Sequence, residues 1–228
     1  GEMRKSQNWI GGSKPSDAVY VPPNIVDLPD LMSDLEKFIN VDNWNVPNLI
    51  KIAILHYQFE TIHPFLDGNG RIGRLIIPLY LLDKNMLSKP CFYISDFFEK
   101  HRTEYYDALN RVRLNNDLIG WIKFFLRAVI ETAKSAKLKF KRVTIYVKET
   151  EEKALKLGGR SENTLKVLRL FYDEPVLDSS TIINKTGISK RTLDSIIKRF
   201  YENNILGELT GYSRNRVFVL AEYLKIFI

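Results

Sequence analysis

Cysteine is almost missing from this chain. Cys91 is the only one in 228 residues, so neither an internal disulfide nor a cysteine-based zinc site can form. Long apolar runs are missing too. The longest, residues 75–82, falls far short of the ~20 residues a membrane-spanning helix requires, and it contains Pro78. Together these gaps set the expectation of a reducing, cytoplasmic setting with no membrane span. The sequence starts at Gly1 rather than methionine, so targeting signals are not judged from it. Internal repeats and low-complexity tracts are also lacking.

What the chain does have is enough apolar material, 45% of residues, to build a sizeable core in one large domain or two modest ones. Lys and Arg outnumber Asp and Glu by 34 to 27, a formal charge of +7 that favours polyanionic or phosphate-bearing partners. The excess is uneven: residues 1–140 carry 18 basic and 16 acidic side chains, residues 141–228 carry 16 and 11.

Periodicity divides the chain further. Trp9-Ile10 and residues 18–21 read as two short strands of a hairpin around a Gly/Ser/Pro/Asp turn. From Pro29 the pattern is helical, with stripes of Leu31, Leu35, Phe38 and Ile39 and then of Ile50, Ala53, Ile54, Tyr57 and Thr61. Residues 75–82 are apolar on nearly every face, as in a central helix, and Pro78 predicts a kink or a shorter helix there. Further helices are predicted over 96–114, from Leu118 to Ala133, and as a charged connector over 135–157. The Gly158-Gly159 pair is the expected boundary between domains 1–157 and 160–228. Beyond it come a helix with Ser161 as N-cap, a helix–Gly187 turn–helix unit capped by Ser189, and two short strands, which is winged-helix order. Leu193, Ile196, Ile197 and Phe200 would face the core of that unit.

The stretch that carries chemistry is HPFLDGNGRIGR, residues 63–74. Gly68 and Gly70 flank Asn69 where a loop enters a helix, so backbone N–H groups can approach phosphate oxygens closely, with Asn69 adding a side-chain donor. Arg71 and Arg74, three apart, share a helix face and can hold successive phosphates. Asp67 is a hard carboxylate of the kind Mg²⁺ accepts beside phosphates, and His63 is the imidazole suited to taking a proton from a hydroxyl. Singly, each has a plainer reading: a structural histidine, turn glycines, a surface ion pair. A solvent loop, however, has no use for all of them together. The combination points to transfer of a nucleotidyl or phosphoryl group. His56 reads as structural, and Glu60 as a solvated helix-end charge, with orientation of His63 as its alternative role.

These twelve residues resemble the signature of the Fic family, HxFx[DE]GNGRxxR, and the resemblance extends to KSQNWIGG, VYVPP, LHYQFETIHPF and FFEKHRTEYYDAL. It implies a mainly α fold: a Fic-type helical bundle with a small β-hairpin flap, then a C-terminal winged helix. It also implies AMP transfer from ATP to a Ser, Thr or Tyr hydroxyl of a target protein. In that reading His63 is the general base, Asp67 binds Mg²⁺, Gly68, Asn69, Gly70 and Arg71 grip the α- and β-phosphates, and Arg74 reaches the γ-phosphate. Family members that phosphorylate instead have Lys where this chain has Gly70.

The family's flap implies that Trp9, Ile10 and Tyr20 meet an extended target segment, with packing on the core as the rival role for each. It places Tyr106, with Tyr105 and His101, beside the nucleotide base. The family's inhibitory [ST]xxxE[GN] motif does not occur in this sequence, which sets the expectation that Arg74 is unoccupied and the chain active without release. Two other readings stay open: a nucleotide donor with another base, and a DNA-binding regulator using Lys190, Arg191, Lys198, Arg199, Arg214 and Arg216, a surface interrupted by Asp194 and Glu202. Protein docking by the winged helix and homo-oligomerisation are open as well.

Overall fold

The computed structural model describes residues 2–41, 45–158, 161–212 and 216–227. Gly159 of the expected boundary, the side chain of the expected Ser161 cap and Arg214 lie outside the described residues. The chain divides into two compact units, Gly1–Ala136 and Lys137–Ile228, a division that falls inside one helix rather than at the glycine pair.

The first unit is built from α1 (Leu28–Asn40), α2 (Asn48–Ile62), α3 (Asn69–Asp83), α4 (Ser95–Lys100), α5 (Arg102–Asn115) and the first half of α6 (Leu118–Lys156). The stripes seen in the sequence become its core. Leu35 of α1 and Ala53 of α2 are buried with Ile77 and Leu81 of α3 and Trp121 and Phe125 of α6. Pro78 lies inside α3, which continues past it to Asp83. His56 is fully buried among Phe98, Trp121 and Phe125, accepting from the Tyr105 hydroxyl (3.0 Å) and donating from Nδ1 to the Gly73 carbonyl (2.9 Å). Burial pushes its pKa down to about 4, so it is a neutral structural histidine at pH 7, as the sequence reads it.

Two expectations about elements change. The N-terminal hairpin is a pair of extended segments joined at one antiparallel bridge, Ile10 to Tyr20, with a short 3₁₀ turn over Pro15–Asp17. Its strands do not extend because Gly11 and Gly12 turn to positive φ directly after Ile10. The helix over 118–133 and the charged connector over 135–157 are one continuous element, α6. No Gly or Pro falls between Gly120 and Gly158 to interrupt it.

The second unit holds the end of α6, α7 (Ser161–Asp173), β1 (Val176–Asp178), α8 (Ser179–Thr186), α9 (Lys190–Glu202), β2 (Gly207–Glu208), β3 (Val217–Val219) and α10 (Ala221–Leu224). The strands form one antiparallel sheet in the order β1-β3-β2. Gly187 takes the left-handed conformation that turns α8 into α9, and Ser189 caps α9 by accepting from the Thr192 N–H. Leu193, Ile196, Ile197 and Phe200 are all buried, as α9's periodicity predicts. Among the described residues no helix is long and apolar enough to cross a membrane.

Candidate active site

His63 is the residue at which α2 ends, and its backbone is left-handed (φ 52°, ψ 59°). This conformation is uncommon for a residue with a Cβ, so something must hold it. Arg4 does so from the N-terminal segment: its Nε donates to the His63 carbonyl (3.2 Å), its backbone N–H to the Pro64 carbonyl (2.8 Å), and its Nη2 to the Pro23 carbonyl. The guanidinium is buried, which lowers its pKa, but arginine stays charged. From the other side, Arg113 of α5 donates to the carbonyl of Glu60 (3.4 Å). That same carbonyl faces His63 Nδ1 at 3.4 Å. With Nδ1–H directed there, Nε2 keeps a free lone pair. Partial burial, with Arg113 and Arg4 nearby, lowers the His63 pKa below its ordinary value, and the neutral form that results can accept a proton.

The loop from His63 to α3 is shaped by Asn69. Its Oδ1 accepts from the Phe65 N–H (2.9 Å) and its Nδ2 donates to the Phe65 carbonyl (2.7 Å), with the residue 2% exposed. One of the two side-chain N–H groups of Asn69 is therefore used inside the loop, which holds its backbone at the start of α3. Gly68 precedes α3 with φ 85°, the left-handed geometry that aims the first N–H groups of the helix outward. Gly70 matters for a different reason: a Cβ there would lie 3.1 Å from Nη1 of Arg74. A side chain at position 70 would press on that guanidinium.

Arg71 and Asp67 form an exposed ion pair at 3.0 Å. Among the described residues no cluster of three or more His, Cys, Asp or Glu side chains could cage a metal. Asp67 alone fits only a cation such as Mg²⁺, which takes one or two carboxylates and completes its shell with phosphate and water. Arg74 has no ion-pair or hydrogen-bond partner among the described residues and lines a cavity of about 260 Å³ with Ser95, Asp96, Phe98, Tyr105 and Tyr106. Tyr106 is 45% exposed in that cavity. His101 does not line it: its ring stacks on Phe97 (centroids 4.2 Å) and its Nδ1 lies 3.6 Å from Glu104.

Glu60 corrects the sequence reading. It is not a solvated helix-end charge but 7% exposed, with Oε1 buried and unpartnered and so close to α3 that a Cβ on Gly73 would meet it at 2.2 Å. Burial raises its pKa to about 7 against the pull of Arg74 and Arg113. Of the hairpin residues, Trp9 is exposed, Ile10 pairs with Tyr20, and Tyr20 turns inward. Its hydroxyl donates to the Thr61 carbonyl (2.9 Å) and its ring lies 3.7 Å from the guanidinium carbon of Arg113.

Sequence reasoning missed Arg4 and Arg113. Arg113 left a signal, since it falls four residues after Leu109 on the buried stripe of α5, and Glu60 does the same four after His56 on α2. Arg4 left none.

Residues 1–81 match the model of the Fic/DOC family. Over that stretch the chain is similar to a Fic domain. Its relatives include the protein adenylyltransferase Fic of Aedes aegypti, 35% identical over 126 residues, which cover 54% of this chain and 22% of that protein. The protein of the same name from Culex quinquefasciatus is 33% identical over 126 residues, with the same coverage. The chain thus spans about a fifth of the length of these curated relatives. A crystal structure of a Fic family protein from Desulfovibrio desulfuricans G20 has a similar fold, with a TM-score of 0.53 and 22% identity, over 96% of this chain and 62% of that one.

Proposed function

We propose that this Fic-like domain transfers AMP from ATP to a hydroxyl side chain of a target protein. The observation that carries the reading is the placement of His63: a neutral imidazole with Nε2 free, at the turn that leads straight into the Gly68–Asn69–Gly70 start of α3. The backbone N–H groups of that start and Arg71 would hold the α- and β-phosphates, and Arg74, unpaired and beside the cavity, the γ-phosphate. Tyr106 would pack on the base; His101, turned onto Phe97, has less claim to it. Asp67 would hold Mg²⁺, which supplies charge neutralisation for the phosphates when bound.

In the reaction His63 Nε2 takes the proton of the target hydroxyl as its oxygen bonds to the α-phosphorus and the bond to the bridging oxygen of pyrophosphate breaks. The arginines and backbone donors stabilise the charge that moves onto the leaving diphosphate. An extended target segment would lie along the hairpin beside Trp9 and Ile10, because Tyr20 is committed inward.

The test is incubation with labelled ATP, Mg²⁺ and candidate protein substrates. His63→Ala should lose transfer by ~10² to 10⁴ while keeping most nucleotide affinity; a variant that transfers at the wild-type rate would remove the assignment.

A DNA-binding role has less support. In the second unit, whose α8, α9 and β2–β3 follow the winged-helix order, Lys198 pairs with Glu202, Arg216 with Glu208, and Arg199 is turned onto the Gly158 carbonyl. Those pairings draw three of the basic side chains away from a phosphate-tracking surface, which favours a protein-docking module.

A further inference from the structure

Arg113 reaches both halves of the machinery. Its planar group offers a face and an edge, and each is used. On the face lies the ring of Tyr20, 3.7 Å away, from the hairpin. On the edge, Nη2 donates to the Glu60 carbonyl at 3.4 Å and Nη1 to Asn110 Oδ1 at 3.1 Å. The Glu60 carbonyl has two lone pairs, and the second is directed at Nδ1 of His63.

We propose that Arg113 is a positioning residue for the transfer reaction: it registers the target-binding hairpin and the imidazole of His63 on one guanidinium. This rests on the reading of His63 as the base. A lysine could supply the charge but not a stacking face and a hydrogen-bonding edge at once. The cation also acts on His63 directly, since Arg113 from α5 and Arg4 from the N-terminal segment both disfavour the imidazolium. The groups that face Arg113 itself are Tyr20, Tyr57, Tyr105 and Glu60. Glu60 titrates at about 7, so its contribution has to be separated from that of His63.

The experiment is an NMR titration of the imidazole signals of the full chain. Only three histidines are present, so His63 is assigned by the signal lost in His63→Ala. Each titration is repeated on Glu60→Gln. Wild type should show a midpoint below the ordinary ~6.5. Arg113→Met should raise it. Tyr20→Phe keeps the ring on the guanidinium and should leave the midpoint in place, whereas Tyr20→Leu frees Arg113 and should raise it. A midpoint unmoved in folded Arg113→Met overturns the proposal; should that variant not fold, a midpoint unmoved in Tyr20→Leu does so.

These readouts require neither nucleotide nor transfer. If the midpoints move while wild type labels no protein, the functional reading fails and the positioning geometry survives. Where transfer is measurable, Arg113→Lys should lower kcat about tenfold with the KM for ATP nearly unchanged, the size expected for one lost charge-assisted hydrogen bond. A wild-type kcat in that variant would count against the assignment.

Discussion

Glu60 and His56 sit one turn apart on α2, and the same desolvation drives them in opposite directions. Burial holds His56 neutral with a pKa of about 4, and holds Glu60 protonated until about pH 7. A depressed histidine contributes stability that is present above its unfolded pKa and is lost as pH falls toward 4. A raised carboxyl contributes stability that is present below its unfolded pKa and is lost as pH rises through 7. Over pH 4.5 to 6.5 the two slopes oppose each other. Removing one should expose the other: in Glu60→Gln, stability relative to wild type should grow with pH between 4.5 and 7, by up to ~3 kcal/mol. Denaturation midpoints at several pH values measure this, and a difference independent of pH would show that Glu60 does not titrate in the folded chain. The residue scale is also where the sequence was least informative. His63, Gly68 and Gly70 announce themselves because their chemistry is local. The burial of Glu60, and the carbonyls taken by Arg4 and Arg113, depend on segments that meet only in the folded state.

Elements were easier to read where a residue type can do only one thing. Gly187 needs φ of +69°, although nothing lies within 4 Å of where its Cβ would be, so conformation rather than space demands glycine there. The adjoining cap is equally local. Asp178 accepts from the N–H and hydroxyl groups of both Ser180 and Thr181, and these bonds hold its carboxyl well below the usual range. Asp178→Ala should therefore cost the second unit ~1 to 2 kcal/mol, seen as a lower urea midpoint, with Asp178→Asn recovering part of it. No loss in the alanine variant would mean that α8 is held by packing alone. The hairpin and α6 were harder. Trp9-Ile10 and residues 18–21 have strand-like composition, but two glycines at positive φ limit pairing to one bridge. The charged middle of α6 suggested a separate connector only because its apolar stripe thins out. Charge does not end a helix, and no breaking residue occurs there.

At the scale of the molecule, two hydrophobic clusters that share no residue lie one in each compact unit. All three tryptophans fall in the first unit, so indole fluorescence reports on that unit alone. Phe200, fully buried in the second cluster, gives the complementary handle. Phe200→Ala should remove ~3 to 5 kcal/mol from the second unit. Its unfolding, followed by far-UV circular dichroism, should then separate from a fluorescence transition that stays where it was. A common shift of both signals would mean the units unfold as one. The overall plan, a mainly helical bundle followed by a smaller mixed unit, was legible because it depends on periodicity summed over many residues. The dividing point was not: it lies within α6, whose residues up to Val129 pack in one core and whose residues from Tyr146 pack in the other.

Arg4 also bears on how such an activity can be switched off. Its side chain is buried, whereas Lys5 next to it is exposed. A trypsin-like protease would therefore find the second basic residue and not the first. One cut there would sever the clamp on the His63 turn from the hairpin it anchors. His63, the proposed base, would then be disarmed by clipping the chain far from it in sequence, with the Gly68–Asn69–Gly70 start of α3 left whole.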